Sequence, residues 1–398
     1  MDHSDNGFGF STLAIHAGER IDPTTRAHNT PIYQTSTYAF DSLEQKEAVL
    51  NGEGGWLYTR GGNPTTSALE AKIAELEGAE AAVAGASGMA VIMAALRSLA
   101  RAGDHIVASD SIYFWANIYM NEEAPLDQID VTRVDMADLA AVRAAIKPNT
   151  KVIYTEFLSN PGIKIVDIPA LAQIAREHNI IMVVDNTFTS PYLFRPLEHG
   201  AHLSLHSATK YICGHGDALA GIISGDKGLI DPILRQIEVL GSCISPFNSW
   251  LLLRGIKTIE LRMERHCDNA LQLARFLERQ PEVTRVNYAG LESHPGHAIA
   301  KQLMNGRYGG MLSFEVEGGA EAGNRLANEL KLCAHAVSLG DVSTLVWPFG
   351  EKLVRVSVGC ENPADIIGDF EQAFEATKAL AAGPTKSASP MTTSRRKS

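Results

Sequence analysis

Three short segments carry residue types suited to amine and phosphate chemistry. Val183-Val-Asp185-Asn-Thr187 is an apolar run ending in an acid, and Leu205-His-Ser207-Ala-Thr209-Lys210 ends in two hydroxyls and a lysine. Ala84-Gly-Ala-Ser87-Gly88-Met89 is a small-residue turn that opens an apolar stretch. Taken singly, each has an ordinary explanation: a turn acid, a solvated lysine, a helix cap. Taken together they meet three demands. Free amides at a helix start, with neighbouring hydroxyls, suit a phosphate. A lysine amine forms a Schiff base, and a buried carboxylate keeps a pyridine nitrogen protonated. Those demands describe pyridoxal 5'-phosphate.

The elements that must position these groups follow from the pattern around them. Short continuous apolar runs at His105–Ala108, Lys151–Tyr154, Ile180–Val184 and Leu203–His206 read as strands covered on both faces. Helical stretches at 65–78, 88–101, 137–146 and 168–178 alternate with them, which predicts an α/β fold with a mostly parallel central sheet. Ligands of such sheets bind beyond the carboxyl ends of the strands, where the three segments fall. The uncharged stretch between Glu80 and Arg97 reads as a buried helix. Residues 245–279 read as one long helical region. Strand-like runs at 283–288, 311–317 and 353–358, with helices at 320–331 and 364–380, predict a smaller α+β domain. The expected organisation is an N-terminal arm over 1–60 without its own core, a cofactor-binding domain over 61–250, a C-terminal domain over 251–382 and a disordered tail over 383–398.

Composition narrows the class. The 398 residues carry a net charge of −11, and the only basic cluster is Arg395, Arg396 and Lys397, so no nucleic-acid partner is expected. Five scattered cysteines without a C-x-x-C argue against a disulfide framework or a zinc site. The pair His294 and His297 lacks supporting ligands and reads as a surface turn; no metal is expected. Met89, Met93 and Leu96 form a helical core stripe. The apolar stretch is shorter than the roughly 20 residues a bilayer requires, and no signal peptide precedes it, so a soluble cytoplasmic protein without membrane contact is expected.

Ser207-Ala-Thr-Lys-Tyr-Ile-Cys-Gly-His-Gly-Asp217 resembles the lysine signature of the Cys/Met-metabolism, or trans-sulfuration, pyridoxal-phosphate enzymes. The likeness runs from Thr12–Gly18 through Tyr58-Thr-Arg60, Asn63-Pro64, Ala86–Met89, Asp185–Thr187, Arg254–Thr258 and Val337–Gly340 to Arg355–Gly359. It implies fold type I, the aspartate-aminotransferase-like architecture. It also implies roles. Lys210 would carry the cofactor as a Schiff base and, once freed, move protons. Asp185 would hold the ring nitrogen. Ser87, Gly88, Met89, Thr187, Ser207 and Thr209 would surround the cofactor, most of them at its phosphate. Tyr58 and Arg60 would reach the phosphate in a neighbouring subunit of a homo-oligomer, a tetramer built as a dimer of dimers. Tyr113 would stack on the ring and assist proton transfer, and Asn160 would meet its hydroxyl and the substrate. Arg355, with Ser338, would clamp the carboxylate of an amino-acid substrate.

The sequence departs from two patterns inside that family. Cystathionine γ-lyases resemble one another in acids that here are Leu57 and Val337. Methionine γ-lyases resemble one another in a Cys that here is Trp115 and a Lys-Asp pair that here is Ile237-Glu238, and the usual Gly after the stacking tyrosine is Phe114. An aromatic entrance near an acid such as Glu238 or Asp341 suits a flat cationic leaving group. The expected activity is therefore γ-elimination on a γ-substituted L-amino acid, with the guanidinooxy group of canavanine ranked before a methionine-like thioether. The alternatives are γ-replacement, as in homoserine-ester sulfhydrylases and cystathionine γ-synthases, and a cystathionine β- or γ-lyase. A non-catalytic binding protein is disfavoured by the retention of Lys210, Asp185, Tyr113 and Arg355.

Overall fold

The computed structural model describes residues 7–350 and 352–381; the expected tail at 383–398 and its basic cluster lie outside them. Seven strands form the large sheet: β1 (Ala81–Gly85), β2 (His105–Ser109), β3 (Asp130–Val134), β4 (Thr150–Glu156), β5 (Ile181–Asp185), β6 (Leu203–His206) and β7 (Gly221–Gly225). Their order is β1-β7-β6-β5-β4-β2-β3, and only β7 runs against its neighbours. Alternate residues along each strand feed two buried clusters, one on each face. Tyr154, Val183, Leu205 and Ile223 lie in one; Ile153, Val184 and Ile222 lie in the other. Burial on both faces is why these strands read as continuous apolar runs.

The parallel strands bring their carboxyl ends to one edge. There β5 ends in Asp185, β4 in Glu156, and β6 runs into Ser207. From β1 the chain turns through Ser87 into the helix Gly88–Leu99 at the same edge, with the Ser87 hydroxyl capping Ala90 N at 3.1 Å. Gly221 in β7 lets that turn lie close, because a Cβ there would sit 2.1 Å from the Ser87 carbonyl oxygen.

A second sheet of five strands, β8 (Val283–Asn287), β9 (Met311–Val316), β10 (Ala334–His335), β11 (Leu345–Phe349) and β12 (Leu353–Ser357), is ordered β10-β11-β12-β9-β8. The helix Gly319–Glu329 packs on it, and Pro363–Ala381 packs on that helix and sets Phe370 edge-on to Phe314 of β9. The cluster holding Ile153 and Val184 continues into this sheet through Leu312, Phe314 and Val354, so the two sheets share a core.

Two expectations are corrected here. The uncharged stretch after Glu80 is a strand followed by a helix: Ala81–Gly85 pairs with Gly221–Gly225 before the helix begins at Gly88. The region 245–279 is two helices, Pro246–Ile256 and Ile259–Leu277, separated at Lys257-Thr258. The arm is also anchored on its own chain. Its helix Phe10–His16 buries Ala14, and the ammonium of Lys72 donates to the carbonyls of Ala14 and Ile15 at 2.8 and 3.0 Å. Glu19 bridges the buried Lys72 and the half-buried Lys257, giving the two cations one shared counter-charge. Among the described residues no helix is long and apolar enough to cross a membrane.

Candidate active site

Lys210 stands after β6, and its Nζ donates to Ser338 Oγ at 2.8 Å. Burial, helped by the nearby Arg355 cation, pushes the amine down to about 8. An ammonium without a carboxylate partner costs free energy in such a place, so the neutral, nucleophilic fraction of the amine is larger than that of a solvated lysine. The Thr209 hydroxyl is already used: it donates to the Ala220 carbonyl at 3.2 Å and accepts from Ala220 N at 3.0 Å. Ser207 sits against the start of the helix Gly88–Leu99, where a Cβ on Gly88 would meet its Cβ at 2.9 Å and its Oγ at 3.0 Å. Only glycine lets the helix amides and the Ser207 hydroxyl converge this closely. Met89, half-buried, follows on the same first turn.

Asp185 is buried at the end of β5. Its Oδ1 accepts from the amide and hydroxyl of Thr187 at 3.0 and 2.5 Å, and its Oδ2 from Tyr154 OH at 3.5 Å. The Thr187 hydroxyl in turn accepts from Ser207 N at 2.8 Å, tying the two strand ends together. Burial raises the Asp185 carboxyl despite those donors. Among the described residues no lysine or arginine forms an ion pair with it, so a protonated ring nitrogen would be its counter-charge.

Tyr113 precedes the short helix Phe114–Ile118, and its backbone N–H donates to Glu156 Oε1 at 2.5 Å. Burial, then the nearby Asp185, raises its phenol. Phe114 and Trp115 are exposed, in edge-to-face contact at 5.3 Å between ring centroids.

Arg355, in the middle of β12, is 3 % exposed and forms no ion pair among the described residues. Its guanidinium donates to the Val337 and Ser338 carbonyls at 2.6 and 3.1 Å and to Asn160 Oδ1 at 3.2 Å. Phe349 stacks against it at 4.8 Å, and burial brings its pKa down to about 10. A buried guanidinium held only by neutral acceptors retains its charge for an incoming anion. The strand β11, paired antiparallel with β12, supplies Phe349 and places Trp347 directly opposite Arg355.

Lys210, Ser338, Arg355, Asn160, Glu156 and Tyr113 thus form one chain of contacts, and Asp185, Thr187 and Ser207 form another. Tyr58 and Arg60 stay outside both. They are exposed, with the Arg60 guanidinium 5.3 Å from the Tyr58 ring centre. Leu57 and Val337 are exposed, 40 % and 65 %. Ile237 is a buried core residue, while the Glu238 carboxylate lies against Gly61 and that of Asp341 against Gly216. His294, expected at the surface, is buried and accepts from Gly296 N; His297 meets the Ala289 carbonyl. A cavity of about 480 Å³ beside Glu19, Tyr33 and Trp56 touches none of the site residues above. Glu156 was missed from the sequence, although an acid ending an apolar strand is the signal that picks out Asp185.

These residues fit pyridoxal phosphate: a half-buried amine, a buried carboxylate lacking a cation, and a helix start pressed against a hydroxyl. A family model for Cys/Met metabolism PLP-dependent enzymes matches residues 11–349. L-methionine gamma-lyase of Fusobacterium nucleatum subsp. polymorphum is 45% identical over 391 residues, covering 92% of this chain and 98% of its own. Cystathionine gamma-synthase of Mycobacterium bovis is 41% identical over 382 residues, covering 92% and 97%. A Campylobacter jejuni structure assigned as an O-acetylhomoserine (thiol)-lyase, solved with N'-pyridoxyl-lysine-5'-monophosphate, matches with a TM-score of 0.87 at 33% identity, covering 92% of this chain and 99% of that one. The fold is that of these type I enzymes, and the chain belongs to the Cys/Met-metabolism PLP-dependent family, whose members are lyases and synthases acting at γ-carbon–sulfur bonds.

Proposed function

We propose that the protein eliminates the γ-substituent of an L-amino acid, with a flat cationic guanidinooxy group preferred and a thioether second. The observation that carries the preference is the exposed Phe114–Trp115 pair beside Tyr113, together with apolar side chains at Leu57 and Val337. A planar cation gains from an aromatic face, whereas the distal ammonium of cystathionine would meet no acid at Leu57 or Val337.

Lys210 holds the cofactor and Asp185 its ring nitrogen. The amides of Gly88 and Met89, with Ser87 and Ser207, hold the phosphate; Thr209 joins them by turning its hydroxyl from the Ala220 carbonyl to the phosphate, and Thr187 keeps Asp185 in place. Tyr58 and Arg60 complete the phosphate site of a second copy of this chain. Arg355 binds the substrate carboxylate, and Asn160 and Ser338 orient the guanidinium and the Lys210 amine. When bound, pyridoxal phosphate supplies an electron-accepting ring that stabilises negative charge at the substrate's α- and β-carbons. The freed Lys210 amine takes the proton from Cα and returns it further along the substrate. Tyr113 stacks on the ring and assists that transfer.

Replacement of the γ-substituent by a thiol is the second reading, favoured by the similarity to a cystathionine gamma-synthase. The holoenzyme is incubated with γ-substituted amino acids, with and without a thiol. Elimination predicts ammonia and free leaving group without thiol; turnover only in its presence would replace the lyase reading with the transferase one.

A further inference from the structure

Glu156 has no part in the reading above, yet it is buried at the carboxyl end of β4, directly opposite Asp185 in the register of β4 and β5. Directly opposed residues of parallel strands share a face, so two carboxyls stand side by side at the floor of the site. One oxygen of Glu156 accepts from the backbone of Tyr113 at 2.5 Å, and the carboxyl also accepts from the backbone of Asn160. Its other oxygen, Oε2, is buried without a partner. The helix that follows Tyr113 is held a second time, where Arg133 donates to the Asn117 side chain. The aromatic segment is thereby pinned to the sheet at both ends.

We propose that Glu156 is a positioning residue, a neutral carboxylic acid that fixes Tyr113 above the site through its backbone and leaves the single negative charge of the carboxyl pair to Asp185. Adjacent buried carboxyls oppose each other's ionisation, and the Arg133 cation, which favours the charged form of Glu156, acts there more weakly than burial and Asp185. Asp185 is supplied with three donors, two from Thr187 and one from Tyr154, while Glu156 meets two backbone amides. Burial and the facing Asp185 push the Glu156 carboxyl well above the usual range, in the direction this assignment needs. The proton then resides on Oε2, the oxygen with no donor to accept from.

The proposal rests on the ring-stacking role of Tyr113, and a double-mutant cycle separates the two. The readout is the dissociation constant of the cofactor, followed by its visible absorption as the holoenzyme is diluted. Tyr113→Ala, which removes the ring, is expected to weaken retention at least tenfold; an unchanged constant would sink the stacking role itself. Glu156→Leu, similar in volume but unable to accept, is expected to weaken retention about tenfold in the wild-type background and less than twofold in the Tyr113→Ala background. Equal losses in both backgrounds mean that Glu156 does not act through Tyr113, and the proposal fails. Glu156→Gln keeps the acceptor oxygen and is neutral, so its constant should stay within about threefold of wild type. A loss as large as that of Glu156→Leu contradicts the neutral acid, and this isosteric variant decides that point even if Glu156→Leu does not fold.

Discussion

Replacing Arg355 with leucine removes a guanidinium that is 3 % exposed and held only by two carbonyls and one amide oxygen. The substrate carboxylate is then desolvated against neutral groups. Removing one partner of a buried charge pair costs about 3–5 kcal/mol. At about 1.4 kcal/mol per decade, kcat/KM should fall roughly 140- to 3700-fold. The carboxylate carries the same charge before and during elimination, so the loss should fall mainly on KM. The assay is steady-state release of ammonia, with the α-amide of the substrate as a control. The wild type should lose a similar factor on the amide, and the variant should barely distinguish amide from acid. A loss below tenfold, or one confined to kcat, would refute the assignment of the carboxylate to Arg355.

Lys210→Ala should abolish both the visible band of the bound cofactor and turnover; retention of both would remove Lys210 from its role. The Lys210 amine titrates at about 8, so it is protonated below that pH and nucleophilic above it. The rate at which stripped protein takes up cofactor should therefore rise about tenfold per pH unit below 8 and level off above it; a rate independent of pH between 6 and about 9 would contradict the shift. Arg60→Ala and Lys210→Ala chains, each inactive, should recover part of the activity when mixed, because Tyr58 and Arg60 reach no site residue of their own chain. No recovery in verified hybrids would count against a shared site. Trp115→Gly should weaken the preferred substrate by about 1–2 kcal/mol, roughly 5- to 30-fold in kcat/KM, the scale of a desolvated cation–π contact.

The strands at His105, Lys151, Ile181 and Leu203 were legible because both of their faces are buried, which writes a continuous apolar run. Ala81–Gly85 and Gly221–Gly225 were not. Their alanine, glycine and serine have little strand propensity, and they are small because the turn at Ser87 and the neighbouring strand crowd against them. Asp130–Val134 lies at the sheet edge, half-exposed, so its apolar signal is diluted. At the site, Asp185, Lys210 and the Ser87–Gly88 turn stood out because each closes or opens an apolar element. Arg355 owed its notice to a strand setting and to the family likeness, and its uncompensated burial emerged only with the fold. Glu156 escaped because the apolar run was read as ending at Tyr154, two residues before the acid that faces Asp185. The docking of the arm through Lys72 and Glu19 is a long-range polar contact with no local signature.

One experiment addresses both the reaction at the γ-carbon and the preference set by the aromatic entrance. Steady-state kcat/KM is measured side by side on canavanine, methionine and cystathionine without added thiol, following leaving group and ammonia. Leaving group and ammonia should be released from all that turn over, with canavanine ahead of methionine and cystathionine slowest. Cystathionine turning over fastest would contradict the pocket, and no release from any of the three would contradict the lyase.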